Sequence, residues 1–171
     1  MGQTHTPRAT PVAQSEPVAG VIPGLRRRKG FLGMQADAYS LVVTPSRLVF
    51  ALLTSKMQKD AVEQARQEAK QEGKGALGQW GAQFGWTNVI VRRYQSMPVE
   101  AILAEESANT FIPNDQIKKV RVKVDVGDEN TSSSTTLEIE TASGKHKYEV
   151  TSGSSTEVKR LLQQTLGNLV K

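Results

Sequence analysis

The sequence feature that most constrains the fold is a strand–turn–strand pattern at 39–54, which reads YSLVVTPSRLVFALLT. Two runs rich in branched and aromatic residues, Leu41–Val43 and Leu48–Leu53, flank the polar segment Thr44–Arg47. Proline at the first central position of a turn presets the backbone angle that the turn needs, and branched residues favour pleated strands. The pattern therefore predicts an antiparallel β-hairpin early in the chain.

The composition indicates one domain without catalytic chemistry. A chain of 171 residues can bury its own core, and the absence of cysteine excludes disulfides and thiolate sites. The only histidines, His5 and His146, lie at opposite ends of the chain. We therefore expect a non-enzymatic protein with no catalytic residues, no cofactor and no metal site.

The location of the protein is constrained only by what the sequence lacks. No apolar run approaches the ~18 residues of a membrane-spanning helix, and the N-terminus has no secretory signal pattern. We therefore expect a cytoplasmic protein, with peripheral membrane association as an alternative. The start Met1–Thr6 also fits the N-myristoylation pattern, which leaves lipidation of Gly2 open.

Charge is distributed unevenly along the chain, whose net charge is +5. Residues 1–55 carry six basic and two acidic side chains, and residues 56–98 carry seven and four. Residues 99–171 carry nine and eleven, which makes this part slightly acidic. The asymmetry predicts one positive face rather than a uniformly basic molecule.

The chain divides into a tail, strands and a helical insertion. Residues 1–16 are polar and proline-rich, which predicts a disordered tail before a single domain at 17–171. A short strand is predicted within Pro17–Leu25. Alanines every four residues predict a helix over Lys56–Gly73, and apolar spacing predicts a second over Ala76–Tyr94 despite its glycines. We therefore expect a helical hairpin inserted at 56–98.

The remainder of the chain predicts further strands and one closing helix. Strand pieces are expected at Glu100–Ala104 and Thr110–Pro113. Clean alternation of apolar and polar residues then predicts three longer strands, at 116–125, 135–141 and 145–151. Val158–Val170 carries an apolar stripe at helical spacing, which predicts an amphipathic C-terminal helix.

This order of elements resembles the pleckstrin homology (PH)-like and GRAM-like domain superfamily, in its uncharacterised bacterial or archaeal type. The resemblance is carried by the phrases at Leu41–Phe50, Phe111–Val120 and Leu137–Lys145, and by the final helix. It implies an α+β fold: a PH-like antiparallel barrel or sandwich of about seven strands with a capping helix. Families with this fold bind phosphoinositide head groups, peptides or other proteins, so the resemblance implies a binding or scaffolding module.

The basic run Arg26, Arg27, Arg28 and Lys29 is the first candidate site. It is expected to form a loop after the first strand, where the resemblance implies residues that hold inositol phosphates. Such a cluster attracts an anionic membrane surface. The alternative is a solvated basic loop without a specific partner.

The aromatic residues Trp80, Phe84 and Trp86 of the insertion are the second candidate site. Aromatic side chains dominate the binding energy of many interfaces, so this cluster predicts a protein partner or self-association. The alanine stripe Ala61, Ala65 and Ala69 would permit close helix packing within the hairpin or between subunits. The alternative is that the aromatic residues attach the insertion to the sheet.

The basic stripe Lys119, Arg121 and Lys123 is interpreted as an ordinary solvent face. Glu138 and Glu140 on the next strand are expected to lie opposite it and to neutralise much of its charge. No aromatic residues alternate with these cations, which disfavours nucleic-acid binding.

Overall fold

The central feature of the computed structural model is one antiparallel sheet. The structure describes residues 16–29, 34–72, 76–126 and 133–171, and for residues 76–84 it describes the backbone alone. Within these residues the sheet has seven strands in the order β4-β3-β2-β1-β7-β6-β5. Their bounds are β1 Gly20–Lys29, β2 Gln35–Val43, β3 Arg47–Leu52, β4 Thr110–Pro113, β5 Ile117–Asp125, β6 Ser134–Thr141 and β7 Gly144–Val150. The sheet is open, with β4 and β5 as its edges.

The predicted hairpin is confirmed as the pair of β2 and β3. Its innermost partners are Val43 and Leu48. The Thr44 N–H donates to the Arg47 carbonyl over 3.1 Å, and the Thr44 hydroxyl donates to the same carbonyl over 2.7 Å. These two hydrogen bonds to one carbonyl oxygen stabilise the polar turn that the sequence indicates.

Strand β1 differs from its prediction, because the basic run is strand and not loop. Arg26–Lys29 pair with Ala38–Gln35 of β2, and Arg26 also pairs with Glu149 of β7. The register shifts between Ile22 and Leu25, where the strand accommodates Pro23 and Gly24 instead of ending. The loop prediction was wrong because backbone pairing with β2 and β7 extends the strand through these cations, and two carboxylates, Asp37 and Glu149, offset part of their charge.

Three helices separate β3 from β4: α1 Ser55–Gln71, α2 Ala76–Ser96 and α3 Val99–Glu105. The two predicted helices correspond to α1 and α2, and α2 is continuous through its glycines. The strand predicted at Glu100–Ala104 is wrong, since this segment is α3. Pro98 immediately precedes the helix, and Val99 and Ile102 are both buried at helical spacing.

Two apolar clusters form on opposite faces of the sheet. The inner cluster joins all seven strands to the C-terminal helix α4 Ser155–Leu166, through residues such as Leu41, Leu137 and Leu162. The outer cluster joins β2 and β3, with Val21 of β1 packed against it, to α1, α2 and α3. The molecule is therefore an α+β protein with one helix on the inner face and the insertion on part of the outer face.

Candidate functional site

The inserted helices α1 and α2 pack closely on each other through small residues. Ala61, Ala65 and Ala69 are buried along one side of α1. A Cβ atom placed on Gly85 of α2 would lie 3.7 Å from the Cβ of Ala65, an ordinary contact distance. The predicted alanine stripe thus serves contacts inside the hairpin.

The same helices cover the outer face of the central strands. Val42, Val49 and Ala51 belong to one buried cluster with Ile90 and Tyr94 of α2. Burial of such side chains stabilises a fold by about 25 cal/mol for each Å² removed from water. The insertion is therefore part of the core and not a detached arm.

A groove of about 500 Å³ runs between α1 and α2 near the start of α1 and the end of α2. Its floor is apolar and its rim is polar and charged. The floor is formed by Met57, Ala61, Val89 and Ile90, and the rim by Lys56, Asp60, Gln64, Arg92, Arg93 and Ser96. An apolar centre inside a polar border is the usual anatomy of a protein–protein interface.

Ion pairs hold the charged rim of the groove in place. Lys56 pairs with Asp60 over 2.6 Å, and Arg92 reaches from α2 to Glu68 of α1 over 2.7 Å. The Arg92 hydrogen bonds lower the pKa of Glu68. Arg93 pairs with Glu105 of α3, so two arginines on α2 tie the three helices together.

The structure describes one of the three predicted aromatic site residues completely. Trp86 is half-buried and packs against the outer cluster, as the alternative interpretation of these aromatics expects. Trp80 and Phe84 lie on α2, and their side chains fall outside the described part. The interface predicted through Trp80 and Phe84 stays a prediction.

The second predicted site, the basic run of β1, is partly neutralised. Arg26 makes a two-oxygen contact with Glu149, at 2.7 and 2.8 Å, and Arg28 lies 3.5 Å from the same carboxylate. Lys29 pairs with Asp37 over 2.8 Å. These arginines lower the pKa of Glu149, with Arg26 as the main cause.

Arg27 differs from its neighbours because it points to the inner side of the sheet. It makes no ion pair within the described residues. Burial lowers the pKa of His146, and the charge of nearby Arg27 lowers it further. His146 itself is half-buried, on the same side of β7 as Tyr148.

Two polar side chains that sequence reasoning missed fix the ends of elements. The Glu16 carboxylate, at the end of the predicted tail, accepts from the Ser46 N–H over 2.8 Å and the Ser46 hydroxyl over 2.6 Å. It also pairs with Arg47 over 2.8 Å. Asn109 accepts from the Leu52 N–H and donates to the Ile102 carbonyl, each over 2.7 Å. No local pattern marks either residue, because both act on partners distant in sequence.

Comparisons of this chain with protein-family models, with curated proteins and with solved structures find no match. Among the described residues, no group of three or more histidine or carboxylate side chains is close enough to share a metal ion. No helix in the described ranges has the length and apolar character needed to cross a bilayer.

Proposed function

We propose that this protein is a non-enzymatic binding and scaffolding module that self-assembles, or binds a protein partner, through its helical insertion. The observation that carries the proposal is the groove between α1 and α2, with its apolar floor and ordered charged rim. Interface energy concentrates where apolar side chains are shielded from water, and Met57 with its buried apolar neighbours offers such a centre below the polar rim of the groove. Trp80 and Phe84 of α2 are the residues that we propose to supply the complementary surface of a second copy.

We infer a PH-like architecture behind this function. The support is the two antiparallel meanders β1–β4 and β5–β7, the pairing of β1 with β7 that joins them, and α4 against the inner cluster. The insertion of α1, α2 and α3 is an addition to that layout. A distinctive partner surface on the added helices would explain why they are present.

Light scattering of a groove variant tests this function. Met57 is half-buried and Gln64 is exposed, so Met57→Arg with Gln64→Arg introduces charge into the groove, and thermal unfolding verifies that the variant is folded. We expect the wild-type chain to associate as its concentration rises and this variant to remain monomeric. The matched control is Gln67→Arg with Gln71→Arg, which places arginines on exposed positions of α1 outside the groove. Equal association of both variants would contradict the proposal.

A second candidate function is peripheral binding of anionic lipid head groups through Arg26, Arg27, Arg28 and Lys29. The observation in its favour is that one carboxylate, Glu149, serves two of these arginines while Arg27 has no ion-pair partner among the described residues. It predicts binding to anionic vesicles that weakens with salt. Substitution of Arg26, Arg27 and Arg28 by alanine should abolish that binding.

A further inference from the structure

The outer face of β5, β6 and β7 is left uncovered by the helices. Val120, Leu137, Ile139 and Tyr148 from these strands point into the inner cluster. Successive side chains of a strand alternate between faces, so their sequence neighbours point outward. The outer apolar cluster under the insertion contains residues of β1, β2 and β3, and among the described residues none of β5, β6 or β7.

This uncovered face carries a surplus of positive charge. With the adjoining part of β1 it presents seven cations and four carboxylates, a net charge of +3. The cations are Arg26, Arg28, Lys119, Arg121, Lys123, Lys145 and Lys147, and the carboxylates are Asp125, Glu138, Glu140 and Glu149. We call this set the basic face.

Existing ion pairs do not neutralise the basic face. Glu138 contacts Lys123 at 2.9 Å and Arg121 at 4.0 Å, and Glu140 contacts Arg121 at 3.7 Å. Glu149 forms ion pairs with both Arg26 and Arg28. In the described part of the chain this leaves three lysines of the face without an ion pair: Lys119, Lys145 and Lys147.

We propose that the basic face docks flat on the anionic surface of a phospholipid bilayer. The inference rests on the second candidate function and moves the membrane contact from the end of β1 to a whole sheet face. Long lysine and arginine side chains keep their charges in the water layer above such a surface. The outward positions of the face include no aromatic side chain on which nucleic-acid bases could stack, so a bilayer fits better than a nucleic acid.

A flat face recognises charge density and not the stereochemistry of one head group. Each lysine or arginine near an anionic bilayer strengthens binding about fivefold. Binding should therefore follow the total lipid charge, so that phosphatidylserine and a phosphoinositide are equivalent at equal charge. It should also fall steeply with salt, since the contact is solvent-exposed.

The test is co-sedimentation with mixed phosphatidylcholine and phosphatidylserine vesicles. The variant Lys119→Gln, Lys145→Gln and Lys147→Gln removes the three lysines without an ion pair. Its affinity should fall by roughly 100-fold, because three contributions of about fivefold multiply. The control Lys59→Gln, Arg66→Gln and Lys70→Gln makes the same change in charge on exposed positions of α1. That control should bind within about threefold of the wild type.

A further variant separates the basic face from the competing head-group site at the end of β1. Arg27 points to the inner side, so Arg27→Ala should leave binding to the vesicles unchanged if the basic face is the contact. If Arg27→Ala loses binding while the triple lysine variant binds fully, the proposal that the basic face contacts the membrane is wrong. That result would support the head-group site at the end of β1. Absence of binding of the wild-type chain to anionic vesicles would overturn both membrane proposals. Binding to an RNA oligonucleotide with no binding to vesicles would also overturn the basic face.

Discussion

At the scale of single residues, two polar side chains connect parts of the chain that sequence separates widely. Glu16 connects the beginning of the described chain to the turn between β2 and β3. Asn109 connects α3 to the end of β3. Asn109 satisfies the part-buried Leu52 N–H, whereas the charged Glu16 carboxylate binds Ser46 at an exposed turn and pairs with Arg47. Loss of a partner from a part-buried N–H, or of hydrogen bonds to a charged group, makes removal of either side chain costly.

Stability should depend on the ionisation of Glu16. Burial raises its pKa, but hydrogen bonds from Ser46 and Arg47 outweigh burial and lower the pKa to about 2. A depressed pKa stabilises the fold above the unfolded value of 4.5, and this stabilisation disappears as the pH falls toward 2. Glu16→Gln should lower the free energy of unfolding by about 2 kcal/mol at pH 7. Urea unfolding across pH should show the two proteins converging in acid.

Glu100 provides the control, because it pairs with the same Arg47 from a more exposed position. The Glu100 side chain is 64% exposed, compared with 15% for Glu16. Glu100→Gln should cost less than about 1 kcal/mol, as exposed ion pairs do. A Glu16→Gln variant that loses no more stability than Glu100→Gln would refute this role for Glu16.

Replacement of Asn109 should loosen α3 from the sheet. Asn109→Ala leaves the Leu52 N–H and the Ile102 carbonyl without their partner, and should cost about 2 kcal/mol of unfolding free energy. Asn88→Ala, at an exposed position of α2, should change stability by less than about 0.5 kcal/mol. Equal denaturant midpoints for the two variants would show that Asn109 holds nothing in place.

At the scale of elements, the helical hairpin combines close packing with residues that disfavour helices. α2 remains one helix because its buried side chains, including Val89, Ile90 and Tyr94, pack on α1 and the sheet. Tertiary packing commonly outweighs a propensity cost of about 1 kcal/mol for each glycine.

Two glycines should respond to alanine in opposite directions. At Gly85 the new Cβ meets only Ala65 at 3.7 Å, so Gly85→Ala should raise stability by up to about 1 kcal/mol through helix propensity. At Gly24 the new Cβ would lie 2.6 Å from the hydroxyls of Thr151 and Ser152. Gly24→Ala should therefore cost about 2 kcal/mol. Thermal unfolding measures both changes, and a destabilised Gly85→Ala would contradict the observed spacing of α1 and α2.

The elements that sequence predicts well are those whose signal is local. The hairpin of β2 and β3 depends on a proline turn between apolar runs, and α1 depends on a four-residue alanine repeat. Both signals lie within the segment itself. The alternation over 116–125 and 135–141 similarly predicts β5 and β6, together with the cross-strand pairs of Arg121 with Glu138 and Glu140.

The errors arise where distant residues decide the local structure. Arg26–Lys29 lack the apolar alternation of a strand, yet pairing with β2 and Glu149 extends β1 through them. α3 spans only seven residues, which is too short for helical periodicity to distinguish it from a strand. The groove and the basic face were not predictable for a related reason, since each combines residues from elements far apart in sequence.

At the scale of the whole molecule, the faces of the sheet have separate roles. The inner face holds the core with α4, while the outer face divides between the insertion and the basic face. Residues 99–171 carry a net negative charge, yet five of the seven cations of the basic face come from this part. Strand alternation places those cations together, so the charge of a segment does not predict the charge of its surface.

Self-assembly through the groove is the central claim, and light scattering over a series of protein and salt concentrations tests it most directly. We expect the mass to rise from the 18.7 kDa monomer toward the dimer with increasing protein concentration. The rise should be insensitive to salt, because the floor of the groove is apolar, and absent in the Met57→Arg and Gln64→Arg variant. A wild-type mass of 18.7 kDa at every concentration would contradict self-assembly through the insertion.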